Sequence, residues 1–302
     1  MLLKDGIPYG FFLNAIKWKL LSIALLTLMV GYFDDFLFIY FDFDLSIPAF
    51  FGTAIVLTLA FRTNKAYNRW WEAKVAWESI KNSSRSWFRM ILKLVGDRKG
   101  NLDEEKMLRD IFINRQIAWN YILAARLRKQ DPLSGMEKFL SAKDIGYLSD
   151  QDNANIGILF LQSRDLMKTL EMGEIDIYYH VELEEILGDL ETALGRAERI
   201  KTTEFPVLYD YIIELSIYIF CALLTYAIRD SFTIIEASFS ILITSIFVMI
   251  NEIARNMQDP FEDLPTDTPM QAISHYLERS AAQLRGQTEM PVALHEGKYF
   301  IK

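Results

Sequence analysis

The feature that most constrains this chain is a set of four apolar stretches arranged as two hairpins. Residues 20–33 read "LLSIALLTLMVGYF" without a charge, and after Asp34 and Asp35 the run resumes as "FLFIYF". Residues 45–61, "LSIPAFFGTAIVLTLAF", follow closely. The second pair is "LSIYIFCALLTYAI" at 215–228 and "ASFSILITSIFVMIN" at 237–251. A bilayer-spanning helix needs about 20 mostly apolar residues, so each uncharged core is slightly short. Trp18, Tyr32, Tyr40, Tyr209, Tyr211 and Tyr218 flank the cores as interfacial anchors that extend them. Four buried helices of a soluble bundle would carry the same hydropathy, but short, acidic or near-neutral hairpin tips suit a bilayer better.

Between the hairpins the chain changes character. A content of 51% hydrophobic and 24% charged residues is too apolar for an ordinary soluble domain and too charged for a chain wholly in the membrane. The segment "VAWESIKNSSRSWFRMILKLV" places Trp77, Ile80, Trp87, Ile91 and Leu94 near one helical stripe. Downstream, "DEEKMLRDIFINRQIAWNYILAARLRKQ" does the same with Met107, Leu108, Ile111, Ile117, Tyr121 and Leu127, acidic at its start and basic at its end as the helix dipole prefers. Two further helices are predicted over about 152–171 and 176–201, with no sustained strand alternation anywhere. The expected fold is therefore all-α: four transmembrane helices in two hairpins plus a large helical cytosolic domain. The expected boundaries are 1–62 for the N-terminal segment and first hairpin, 63–205 for the helical domain, 206–256 for the second hairpin and 257–302 for a cytosolic tail.

Charge sets the expected orientation. Lys4, Lys17 and Lys19 precede the first stretch, and Arg62, Lys65, Arg69 and Lys74 follow the second, whereas the tip "FDFDLSIP" has no basic residue. Basic residues favour the cytoplasmic side, so both termini and the middle domain are expected inside a multi-pass plasma-membrane protein. Asp34, Asp35, Asp42 and Asp44 then form an acidic outer mouth that enriches cations. A net charge of -8 argues against nucleic acid as a partner. The first apolar stretch lacks a small-residue cleavage site behind it and is expected to stay in the membrane.

Enzyme signatures are largely absent. His180, His275 and His295 lack metal-ligand spacing to one another or to Cys221, the one cysteine, and neither a phosphate loop nor a nucleophile elbow occurs. Thr53, Leu57 and Phe61 recur every four residues and share a helix face, while Gly52, Ala54 and Ala60 permit close packing. That face reads either as ordinary apolar core or as a hydrophobic constriction of the kind that gates ions by excluding water. Asp259, Glu262, Asp263 and Asp267 offer hard oxygen ligands for calcium within nine residues; the plainer reading is a turn in which Pro260 ends the last membrane helix. No other cofactor is expected.

Three stretches together carry a resemblance. "FRTNKAYNRWWEAK" (61–74), the later "FPVLY" (205–209) and "DPFEDLPTD" (259–267), in this order around two hairpins, resemble the bestrophin family of ion channels, in particular its bacterial members. The resemblance implies a homopentamer around one axial pore, with a narrow apolar neck from the second membrane helix and a second constriction at the cytosolic end. Counting back from Arg69, the neck falls on Thr53, Leu57 and Phe61; Thr53 departs from the larger apolar residue usual there. The cytosolic constriction falls near Tyr178, with Ile177 or Val181 as the alternatives. In animal members an acidic run forms a calcium clasp where this chain has its interrupted "DPFEDLPTD". On this resemblance the basic residue Arg62 marks the inner boundary, returning its charge to water or headgroups, and Tyr67, Trp70 and Trp71 brace helices beneath the bilayer. The implied function is passive conduction of small monovalent ions: chloride and related anions by family, sodium or potassium as the alternative for bacterial members. A membrane-anchored scaffold without a pore is the competing class, and an enzyme or secondary transporter would show a polar cluster or broken helices at mid-bilayer.

Overall fold

The computed structural model describes residues 9–33, 44–94, 102–203, 206–228 and 234–292, and among these every regular element is helical. The elements are α1 (Tyr9–Tyr32), α2 (Ser46–Leu94), α3 (Leu102–Leu127), a short 3-10 turn (Met136–Lys138), α4 (Ala142–Ser149), α5 (Ala154–Glu171), α6 (Ile177–Thr202), α7 (Val207–Ala227), α8 (Ile234–Gln258) and α9 (Met270–Leu284). The chain divides into two compact units: Ile7–Trp70 with Glu204–Pro260, and Met1–Gly6 with Trp71–Thr203 and Phe261–Lys302. The 49-residue α2 runs through the boundary without a break and serves both.

In the first unit α1, α7 and α8 pack on one another. Four helices, α1, α2, α7 and α8, are long and apolar enough to cross a membrane. The stretch Leu13–Tyr32 has 20 residues, which at 1.5 Å rise gives ~30 Å, the thickness of the hydrocarbon layer. Ile55 and Leu59 of α2 join Ile23, Ile217, Phe220 and Val248 in the core of this unit. Apolar side chains gain little by leaving lipid for such a core, so close fit and interhelical hydrogen bonds must add to it. Both are present. Ser22 Oγ lies 2.8 Å from Tyr218 Oη, Thr225 Oγ1 lies 2.8 Å from Ser240 Oγ, and the buried Cys221 Sγ sits 3.3 Å from Thr27 Oγ1. Gly52 allows a close approach: a Cβ there would stand 2.8 Å from Phe220 Cε2.

The second unit is built around α3, which packs against α5, α6 and α9. Trp77, Ile80, Trp87 and Ile91 of α2 are buried in its core, as their spacing predicts. Met107 is a correction: expected on the inner stripe of α3, it is 67% exposed. Polar groups take the inner side of α3 instead, where they hydrogen-bond to one another. Ser84 Oγ accepts from Gln116 Nε2 at 2.9 Å, Gln162 Nε2 donates to Gln116 Oε1 at 3.1 Å, and Asn120 Nδ2 donates to the Gln116 carbonyl at 2.7 Å. A buried polar ladder of this kind costs little only while every member is paired. Caps stop the helices where the sequence changes: Ser141, Asn153 and Asp176 each accept a backbone N–H at the start of α4, α5 and α6. Arg115, almost wholly buried, is held by Asp144 (3.0 Å) and Asp165 (2.7 Å). Burial by itself would raise the Asp165 carboxyl, but hydrogen bonds from Arg164, Arg115 and Lys168 hold it well below the usual carboxylate range.

Candidate functional site

The first half of α2 presents two opposite faces. Gly52, Ile55, Leu59, Arg62 and Ala66 form its buried stripe. On the far side Phe50, Thr53, Leu57, Phe61, Asn64 and Asn68 are exposed in the single chain, at the three- and four-residue spacing of one helix face. Leu57 is 58% and Phe61 59% exposed, a large uncovered apolar area at this point of the helix. The Thr53 hydroxyl donates back to the Ala49 carbonyl of its own helix at 2.9 Å. Below Phe61 the same face turns polar, and Asn68 Nδ2 lies 3.4 Å from Asn64 Oδ1. The three predicted neck residues thus stand together on one outward face. Phe50, Asn64 and Asn68 extend it, and the same spacing, continued one turn before Thr53 and two turns after Phe61, would have found them.

Two apolar clefts flank this face. One, of 510 Å³, is lined among others by Val56, Ala60, Asn64, Tyr67, Phe247 and Ile250. The other, of 120 Å³, is bounded by Phe51, Ala54, Thr58, Tyr209, Ile212 and Ser216.

Arg62 is a correction. Predicted to return its charge to water or headgroups, its side chain is only 1% exposed. It forms an ion pair with Asp210 of α7, donates through Nη1 to Asn251 Oδ1 of α8, and reaches Gln258 Oε1 through Nη2 at 3.5 Å. The reason is position: Arg62 lies five residues from Leu57, on the buried side of the helix, where an unpaired charge would be costly and a paired one is tolerated. Neighbouring charges continue the cluster. Arg255 lies 3.8 Å from Asp210 and 4.0 Å from Glu214, and Lys19 lies 3.5 Å from Glu214 and 3.1 Å from Glu252. None of the acidic partners follows from the local pattern around "FRTN", since Asp210 and Glu252 belong to other helices. In the aromatic block Tyr67 and Trp70 rings approach to 5.7 Å between centroids, and Tyr67 and Trp71 remain largely exposed in the single chain.

The second predicted constriction lies in the other unit, on the first turn of α6. Ile177, Tyr178 and Val181 are all exposed there, Tyr178 to 79%, around the buried His180. Of the predicted outer mouth, Asp34, Asp35 and Asp42 lie outside the described residues. Asp44 is exposed and accepts from Ser46 N at 2.9 Å and from Ser46 Oγ, bonds that lower its carboxyl from the ordinary value and cap α2. The calcium candidates are engaged in other contacts or turns. Glu262 meets Lys201, Asp263 meets Arg128 at 2.8 Å, and Asp267 Oδ2 accepts from Leu264 N at 3.0 Å to close a turn, while Asp259 belongs to the other unit. Among the described residues no group of three or more His, Cys, Asp or Glu is placed to hold a metal ion.

Relatives were found by sequence and by structure. The "Voltage-dependent anion channel-forming protein YneE" of Salmonella typhi is 28% identical over 273 residues, 90% of this chain and 86% of that protein. Its namesake in Escherichia coli K12 is 26% identical over 258 residues, 85% of this chain and 82% of that protein. A crystal structure of a bacterial bestrophin homologue from Klebsiella pneumoniae matches the fold with a TM-score of 0.82 at 22% identity, across 91% of this chain and 100% of that one. The family described as "Bacterial/Fungal Bestrophin protein" matches residues 7–283. With nearly its whole length inside that match, the chain belongs to the bacterial and fungal bestrophin family.

Proposed function

We propose that this protein is an ion channel in which five copies surround an axial pore and the outward face of α2 lines its neck. The observation that carries the reading is the exposed apolar stripe of Leu57 and Phe61, set opposite a buried stripe on the same helix and giving way below to Asn64 and Asn68. A ring of such side chains repels water and so gates ions, and the asparagines beneath offer a wet vestibule. Membership of the bestrophin family and relatives named as anion channel-forming support this reading over an enzyme or a scaffold without a pore. Tyr178, or Ile177 or Val181 in its place, would form the second constriction. In this reading the protein spans the inner membrane with both termini in the cytoplasm, and its neck carries small monovalent ions passively.

The names of the relatives favour anions. A second reading, monovalent cations, is favoured by the exposed carboxylate of Asp44 next to the start of α2. The reversal potential of the purified protein in a planar bilayer under a potassium chloride gradient tests both, since its sign separates anions from cations. Absence of any conductance from protein that elutes as an oligomer would leave the scaffold as the function. The Leu57→Ala and Phe61→Ala variants test the neck itself, and unchanged currents in both would remove it.

A further inference from the structure

We infer that Arg62 is the positioning residue of the neck: it sets the rotation of α2 that presents Phe61, although it touches no ion. The inference rests on the channel reading above. Phe61 and Arg62 are adjacent, so their side chains leave the helix axis about 100° apart and neither can turn without the other. The guanidinium is bound on two other helices at once, by Asp210 on α7 and by Asn251 and Gln258 on α8. Its donors lie in a rigid plane, so three acceptors in different directions define an orientation and not merely a distance. The apolar members of the same stripe, Ile55, Leu59 and Ala66, bury area without direction and would tolerate a small rotation. About three turns of α2 are thus fixed at two points: the contact of Gly52 with Phe220 above and the Arg62 cluster below.

The surrounding charges separate this role from one in assembly. Asp210 keeps a cation at 3.8 Å, Arg255, when Arg62 is neutralised. The carboxylate is then not left bare, and the variant loses the directional hold of α2 while the helices still pack. The role predicts that Arg62 acts on conduction only through Phe61.

The test uses full-length protein in planar bilayers, with the oligomer checked by size exclusion, for the wild type, Arg62→Gln, Asp210→Asn, Phe61→Ala and the Phe61→Ala/Arg62→Gln double variant. Arg62→Gln and Asp210→Asn, reaching the same bond from α2 and from α7, are each expected to change open probability about fivefold or more without changing the oligomer. In the Phe61→Ala background Arg62→Gln is expected to add nothing, because the side chain it positions is gone. Changes below about twofold in both single variants, or an Arg62→Gln effect that persists in full without Phe61, would overturn the inference. So would failure of both variants to assemble, which assigns Arg62 to folding alone. Unchanged currents in Phe61→Ala would also overturn the inference, and unchanged currents in Leu57→Ala as well would refute the neck reading on which it stands.

Discussion

Substituting Gly52 by alanine sets two effects of known size against each other. An alanine in a helix interior is favoured over glycine by about 1 kcal/mol, so on propensity the variant should be more stable. Against this, the new Cβ would lie 2.8 Å from Phe220 Cε2, and the ring would have to retreat by about 0.7 Å to regain an ordinary contact of about 3.5 Å. Phe220 has little room to do so: it is buried, and its ring centroid is 5.0 Å from that of Phe247. Overpacking of a closed apolar site costs about 1–3 kcal/mol, so the contact outweighs the propensity and Gly52→Ala should be destabilising by about 1 kcal/mol. The pair can be read by a cycle. Phe220→Leu alone loses packing, but in its presence Gly52→Ala should cost less than in the wild type, giving a favourable coupling of about 1 kcal/mol. Thermal loss of the folded protein in detergent, followed by fluorescence-detected size exclusion, measures all four proteins. A Gly52→Ala protein that melts above the wild type, or effects that simply add, would refute the close contact.

Other outcomes follow from the same geometry. Leu57→Ala and Phe61→Ala should each raise conductance or open probability in bilayer recordings, because a smaller apolar ring would let water remain in the proposed neck. Arg115→Met should destabilise the helical unit by about 3 kcal/mol, read as a lower unfolding midpoint by Trp fluorescence, since it leaves Asp144 and Asp165 without their buried cation. The depressed Asp165 carboxyl makes stability fall in acid. Its folded-state value lies below the unfolded one of about 3.9, so the contribution is complete above that pH and is lost as pH falls below it. Asp165→Asn should flatten the acid limb of unfolding below about pH 4, and an unaltered acid limb would assign the sensitivity elsewhere. Tyr121, pushed up by burial and by its hydrogen bond of 2.8 Å to Glu278, behaves oppositely, contributing below its unfolded value and losing that contribution as pH rises; Tyr121→Phe should remove this alkaline component of unfolding.

What was legible in the sequence is what local periodicity controls. The spacing of Thr53, Leu57 and Phe61 determined that they share a face, and that of Trp77, Ile80, Trp87 and Ile91 determined a buried stripe, because a helix converts sequence distance into angle without reference to anything else. The four apolar stretches determined, for the same reason, four helices long enough to cross a membrane at 1.5 Å per residue. Tertiary structure alone decided the fate of polar groups. Arg62 pairs with Asn251 across 189 residues and with Gln258 across 196, and a charge beside an apolar run cannot announce a partner so distant. Met107 faced outward and Gln116, Asn120 and Arg115 inward, against simple hydropathy, because partners on other elements satisfied the buried polar side. Periodicity assigns a face; only the neighbours on that face decide whether a charge there is stranded or held.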